Sequence, residues 1–211
     1  MKTFLLTCGL ILLSGCASGQ AQPKLPYGAW FAGVFAPAYM EVWVESVDVI
    51  DQRGLVYERV SGGIPSYGST VAGWPPHPSG GAGKNLTGID LPEIIFVRWQ
   101  SMVEPQTYNV RINIPEWVRE EMLKPYSPYC RGEKRVVEGK YRKVITIGLA
   151  PGGIAKAWVG GPCLESIEIG RFEAAASKVG PYGGKSGGKH RSLSEKAKAY
   201  IEQHGVPYGS W

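Results

Sequence analysis

Tyr108-Asn109-Val110-Arg111-Ile112-Asn113-Ile114 alternates apolar and polar side chains without a break, the signature of a β-strand with one face in a core and the other in water. Tyr108, Val110, Ile112 and Ile114 point inward on this reading; Asn109, Arg111 and Asn113 point outward. A second apolar run, Ile94 to Val103, precedes it, and Glu104-Pro105-Gln106 lies between them, so the two runs form a hairpin. Downstream, Pro115 suits the first position of a helix, where its missing N–H costs nothing, and Glu116, Glu120 and Glu121 favour the positive end of the helix dipole. That helix runs from Glu116 to Lys124 and stops before Pro125.

Working outward, Ala29 to Phe35 reads as a strand ended by Pro37. Met40 to Asp51 reads as another, with Met40, Val42 and Val44 on one face and Trp43, Val47 and Val49 on the other. Gln52-Arg53-Gly54 turns the chain into Leu55 to Val60, giving a further hairpin. Ser61 to Thr87 holds many Gly, Pro and Ser residues with no sustained period and reads as a long loop, a length that in compact domains marks function or disorder. Beyond a charged, exposed stretch from Arg131 to Lys143, strands Val144–Leu149 and Ile154–Val159 flank the turn Pro151-Gly152-Gly153, and Leu164–Phe172 is the last. Short strands, Gly/Pro turns and one internal helix describe a mainly β, antiparallel, sandwich-like domain.

The tail has another character. Val179 to Arg191 is glycine-rich and basic, a flexible linker by composition. Ser192 with Glu195 three residues on matches a capping box, opening a C-terminal helix that ends at His204 before Gly205. Leu193, Ala197, Tyr200 and Ile201 share one face of it, a stripe suited to the parent domain, a partner or a bilayer. Formal net charge is +5, but residues 16–177 carry sixteen Lys/Arg against sixteen Asp/Glu. The excess lies in the tail, at Lys178, Lys185, Lys189, Arg191, Lys196 and Lys198. Such a tail suits anionic headgroups or an acidic partner more than nucleic acid, or it is simply solvated.

The N-terminus sets the compartment. Met1-Lys2-Thr3 and the apolar run Phe4 to Leu13 read as a secretory signal, and the run is shorter than the roughly 20 residues a membrane span needs. Leu13-Ser14-Gly15-Cys16 resembles the lipobox of bacterial lipoproteins, which implies cleavage after residue 15 and diacylglycerol on Cys16; Ala17 in place of Asp implies the outer membrane, with the protein facing the periplasm. The organisation expected is therefore a signal peptide at 1–15, a tether at 16–26, a β-rich globular domain at 27–178 and a basic tail at 179–211. Cys8 leaves with the signal, so Cys130 and Cys163 remain as a pairable couple in an oxidising compartment. Two unpaired thiols or a metal site are the alternatives, and the scatter of His77, His190 and His204 disfavours the metal.

Sequence motifs for chemistry are weak. Gly80-Gly81-Ala82-Gly83-Lys84-Asn85 looks like a phosphate loop, but Pro78 stands where the first glycine belongs and Asn85 where a hydroxyl should meet magnesium. The one Gly-x-Ser-x-Gly pentapeptide, Gly184 to Gly188, lies in the glycine-rich tail and not at the strand-to-helix turn a serine nucleophile needs, and Glu41, Glu45, Asp90, Glu93 and Glu104 offer no distinguished pair. The expectation is a binding protein without cofactor, not an enzyme; a hydrolase using His77 is the weaker alternative. Aromatic anchors and forked donors single out Tyr67, Trp74, His77, Arg98 and Arg111 as partner-binding candidates. Trp74, between Gly73 and Pro75, is expected to be exposed, and Trp99 to be core.

Leu91-Pro92-Glu93 through Arg98-Trp99-Gln100-Ser101 with Val103-Glu104, Ile112 to Val118, and Ile147 to Trp158 together resemble a family of proteobacterial lipoproteins of unknown function, the likeness reaching to about Glu173. The resemblance transfers no catalytic residue. Some relatives in that family are encoded beside effectors of the type VI secretion system, phospholipases among them. It thus implies an immunity protein that occludes a secreted effector, with Ser61 to Thr87 and neighbouring strand edges as the contact. A structural or glycan-binding envelope lipoprotein, using Trp74 and Tyr67, is the alternative.

Overall fold

A computed structural model describes residues 22–211. Cys16, the signal segment 1–15 and residues 16–21 of the tether lie outside the described residues. Thirteen strands and two α-helices follow in order: β1 (Ala29–Ala36), β2 (Val42–Asp51), β3 (Val56–Gly63), β4 (Ser66–Tyr67), β5 (Ala82–Thr87), β6 (Pro92–Ser101), β7 (Gln106–Asn113), α1 (Glu116–Leu123), β8 (Tyr129–Cys130), β9 (Arg135–Val136), β10 (Val144–Ala150), β11 (Ile154–Gly161), β12 (Leu164–Glu173), β13 (Ala175–Ala176) and α2 (Glu195–His204).

The strands form two main sheets. One has the order β12-β11-β10-β1-β4, with β5 also on β1; the other has the order β13-β7-β6-β2-β3. Val34, Ile145 and Ile147 from the first share one buried apolar cluster with Val44, Val97, Trp99 and Val110 from the second. The expected hairpins β2–β3, β6–β7 and β10–β11 are present and antiparallel. The pairing is not wholly antiparallel, however. β1 runs parallel to β10, Val34 opposite Ile147, and parallel to β4.

Two segments depart from expectation for identifiable reasons. Ser61 to Thr87 is not one loop: β3 continues to Gly63, and β5 pairs antiparallel with β1. Glycine masks that strand from a propensity reading, yet the pairing requires it, because a Cβ on Gly83 would lie 1.8 Å from the Ala32 carbonyl oxygen and one on Gly33 1.8 Å from that of Gly80. The apparent phosphate loop is largely this strand. In β2, Val42, Val44, Val47 and Val49 are all buried, because the register against β6 shifts between Val44 and Ser46. Glu45 is the extra residue of a β-bulge, and it returns the later valines to the core face.

The helices begin slightly differently from their sequence signals. Pro115 is the residue before α1, with extended backbone (φ −61°, ψ 154°), and Val118 and Met122 are buried beneath the helix. Near its end, the Tyr27 hydroxyl donates to the Met122 carbonyl at 3.0 Å, satisfying one of the acceptors every helix end leaves open. Ser194, not Ser192, caps α2 by accepting from the Ala197 N–H at 3.2 Å. The Glu41 carboxylate accepts from both the Ser194 amide and its hydroxyl, which fixes the start of the helix there. Ala197 is buried, and Tyr200 and Ile201 pack toward Met40, Ala150 and Trp211, so the apolar stripe of α2 docks on its own domain.

Cys130 and Cys163 form a disulfide, their Cα atoms 5.1 Å apart. It ties the β8–β9 hairpin to the corner between β11 and β12. At the β2–β3 turn, Asp51 is fully buried and accepts from the amides of Arg53, Leu55 and Asp90 at 2.9, 3.2 and 3.2 Å, and from Arg53 Nη2 at 2.6 Å. Burial works against its charged form, but the Arg53 guanidinium and these amides outweigh burial and hold the carboxyl below the ordinary carboxylate range.

Replacing both cysteines by Ala lowers stability by about 3 kcal/mol on the loop-entropy argument, read as a lower urea midpoint. A group more acidic when folded contributes fully above its unfolded value and loses its contribution as pH falls through the folded one. Stability therefore declines as pH drops below about 4, and Asp51→Asn flattens that decline while costing about 2 to 3 kcal/mol at neutral pH; denaturation at a series of pH values checks both.

Candidate functional site

The outward face of β2, β6 and β7 carries rows of polar and aromatic side chains set by register. Ser46, Arg98 and Asn109 form one row, and Asp48, Phe96 and Arg111 the next. The bulge at Glu45 directs its carboxylate to this face, where only 4% of the side chain is exposed. Arg98 Nε donates to one Glu45 oxygen at 2.7 Å, and Gln100 Nε2 donates to the other at 2.9 Å.

The glycine-rich tail completes this cluster. The Tyr182 amide donates to both Glu45 oxygens at 2.9 and 3.0 Å, and Arg98 Nη2 donates to the Gly180 carbonyl at 3.0 Å. The Arg191 amide donates to Gln100 Oε1 at 2.9 Å, while its guanidinium lies 3.5 Å from the Trp43 ring centroid, a cation–π arrangement. The linker is thus laid across the sheet. Its glycines serve a different purpose from the one composition suggests: Gly180, at φ +75°, takes a left-handed conformation that lets the chain follow the surface.

Below the tail, the sheet face remains open as a cleft of about 760 Å³ whose walls include Asp48, Phe96, Arg98, Arg111, Arg171 and Phe172. Arg171 and Phe172 arrive from β12, which belongs to the other sheet. The Arg111 guanidinium carbon lies 5.6 Å from the Phe96 ring centroid, and Arg111 Nε donates to Asn113 Oδ1 at 2.9 Å. Arg171 Nη1 pairs with Glu173 at 3.2 Å, and Arg171 Nε donates to the Trp211 carbonyl oxygen at 3.0 Å. The arrangement offers guanidinium groups beside aromatic faces on a sheet backbone, which suits recognition of carboxylates and ring-bearing side chains.

Of the five residues singled out from sequence, the cleft unites Arg98 and Arg111. Tyr67 lies on β4 beside β1, its phenol pushed up to about 12 by burial and then by the Glu41 charge. His77 is exposed and lines a separate groove of about 410 Å³ with Phe31, Ser79 and Ser166. Trp74 is not exposed as expected. Its ring seats on Gly148, where a Cβ would come within 2.4 Å, and packs edge-on against Phe35 and Trp158. Trp99 is core, fully buried. Sequence reasoning missed Phe96, Arg171 and Phe172, although the outward position of Phe96 follows from the same alternation that points Arg98 outward. Among the described residues no group of three or more His, Cys, Asp or Glu is placed to hold a metal ion, and no helix is long and apolar enough to cross a membrane.

Residues 17–209 match the family model described as a protein of unknown function, DUF2931, so the match takes in the basic tail that the resemblance read from sequence left out. No curated protein and no solved structure matches the chain.

Glu45→Ala removes the acceptor shared by Arg98, Gln100 and the Tyr182 amide. It lowers stability by about 2 kcal/mol, and hydrogen exchange at Tyr182 and Arg191 accelerates while that of β10 and β11 keeps pace with global stability alone.

Proposed function

We propose, from the premise that the chain belongs to the DUF2931 family, that it is an envelope protein acylated at Cys16 and works by binding another protein. The reading that best joins location to surface is an immunity protein, held on the periplasmic face of the outer membrane, that blocks a type VI secretion effector such as a phospholipase by occlusion. The observation that carries the binding role is the cleft in which Phe96, Arg111, Arg171 and Phe172 meet. Arginine and aromatic side chains dominate the energetics of protein interfaces, and side chains fixed on strands lose little freedom on binding.

Other features support the same reading. The lipobox-like end of the leader motivates acylation, and the Cys130–Cys163 disulfide is compatible with an oxidising compartment. Two sheets over one core support a sandwich-like domain, an architecture that carries binding surfaces on many unrelated proteins. The contact is reassigned from Ser61 to Thr87 to the β2-β6-β7 face, because the two ends of that segment are paired in strands β3 and β5 and its Trp74 ring is packed against Phe35 and Trp158. A glycan platform built on Trp74 is less favoured, since the indole is occupied by Gly148, Phe35 and Trp158.

Protection and binding separate the parts of the proposal. With a type VI phospholipase effector delivered to the periplasm of sensitive cells, the wild-type protein is expected to protect and to co-purify with the effector. Phe96→Ala with Arg111→Glu weakens the complex by at least ~30-fold, as loss of an interface hot spot does, and abolishes protection. Cys16→Ser leaves binding to the folded domain intact but impairs protection. Unaltered affinity in the Phe96/Arg111 variant sinks the cleft as the contact; absence of any complex sinks the immunity reading.

A further inference from the structure

We propose that the end of the domain bearing the β8–β9 hairpin rests on the anionic phospholipid headgroups of the membrane that holds Cys16. The inference rests on the acylation proposed for that residue. It moves the membrane-facing charge from the C-terminal tail to an internal hairpin.

Position comes first. The described chain enters the fold beside this hairpin: the Tyr27 ring meets that of Tyr141 with centroids 5.3 Å apart, and Lys143 Nζ lies 5.6 Å from the Tyr27 ring centroid. The start of β1, the start of β10 and the end of β11 lie together here, since Phe31 pairs with Val144 and Val144 with Gly160. The connection from acylated Cys16 to this point, residues 17–26, can span no more than about 40 Å however it is arranged. It keeps this end of the domain near the bilayer. Helix α2 belongs to the opposite end of β1, where Tyr39 stacks on Tyr200 with ring centroids 4.1 Å apart.

Charge points the same way. From Glu121 to Lys143 the chain has seven Lys/Arg, at 124, 131, 134, 135, 140, 142 and 143, against Glu121, Glu133 and Glu138. Glu121 pairs with Lys124 and Arg142, and Glu133 with Arg135 and Lys140, which leaves a net positive surface. On α1, Glu116 and Glu120 offset Arg119, so the cationic character belongs to the hairpin and not to the helix. Residues 131 to 136 are all exposed.

The hairpin also presents an apolar pair of the kind found at membrane interfaces. Tyr129 and Val136 are cross-strand partners, 59% and 56% exposed, and the exposed Arg131, Lys134 and Arg135 belong to the same hairpin. An exposed aromatic and aliphatic pair on a hairpin rich in cations suits the boundary between headgroups and acyl chains, and cations near an anionic leaflet act within about a Debye length. The disulfide at Cys130 holds the hairpin to the β11–β12 corner, so the charges act as a fixed patch. Two of the tail cations are disposed otherwise, since Arg191 lies on Trp43 and the Lys196 ammonium faces Tyr39, at the end remote from Tyr27.

The test uses the full acylated protein in liposomes of phosphatidylcholine alone and in liposomes that also contain phosphatidylglycerol, with hydrogen exchange read by mass spectrometry. Phosphatidylglycerol is expected to slow exchange across residues 129–140 by about threefold or more relative to phosphatidylcholine. Raising salt to about 0.5 M removes the difference, as does Arg131→Glu with Lys134→Glu. Equal exchange in the two lipids, or slowing confined to residues 185–198, overturns the proposal. The N-terminal mass of the same sample reports acylation separately. If Cys16 carries no lipid, the function reading loses its anchor, and cosedimentation of that protein with phosphatidylglycerol vesicles, lost on the double charge reversal, still decides the hairpin's affinity for headgroups.

Discussion

A single extra residue in β2 governs much of this molecule. Without the bulge at Glu45, strict alternation would send Val47 and Val49 to the face opposite Val42 and Val44. With it, all four valines enter the shared core, and a carboxylate is set into the outer face, where Arg98, Gln100 and the Tyr182 amide converge on it. A nearly buried charge is tolerated only when its lone pairs are occupied. Here the occupants come from β6 and from a segment far along the chain, so one carboxylate links sheet register to tail position.

That link gives the outer sheet face two distinct zones. Above, the tail covers Trp43, Gln100 and Glu45; below, Phe96 and Arg111 face solvent with Arg171 and Phe172 beside them. Arg98 belongs to both zones, bound to Glu45 and Gly180 while contributing to the cleft wall. The tail therefore defines the upper rim of the open surface, and its docking sets how much of the sheet stays uncovered.

Hairpins were the legible part of the fold, because each is written locally. The alternation of Tyr108 to Ile114, the turn at Gln52-Arg53-Gly54 and the Pro151-Gly152-Gly153 corner are all short-range patterns. The parallel pairing of β1 with β10 joins residues separated by more than half the chain, and no local period encodes it. β5 was hidden because Gly83, Lys84 and Asn85 are poor strand formers taken singly, whereas close approach to β1 demands glycine there. In the candidate site, Arg98 and Arg111 could be placed because they lie outward on well-patterned strands. Arg171 and Phe172 could not, since their proximity depends on the end of β12, a strand of the first sheet, lying beside β7 of the second. Trp74 misled because flanking Gly and Pro suggest exposure, and the seat that receives its ring, Gly148, lies far away in sequence. Composition also gave no sign that tail amides have acceptors on the sheet, the Tyr182 amide at Glu45 and the Arg191 amide at Gln100.

The central position of β1 in its sheet bears on the order in which the protein is made. Its hydrogen-bonding neighbours are β4, β5 and β10, and the last of these follows every strand from β2 to β9. A ribosome or translocation channel releases β1 first among the strands, so its apolar run Trp30 to Ala36 must wait with one edge open while more than a hundred residues emerge. Contacts of such long sequence separation form slowly, and an unpaired apolar edge is the hazard meanwhile. Until β10 arrives, the sheet lacks the strand that closes this edge of β1.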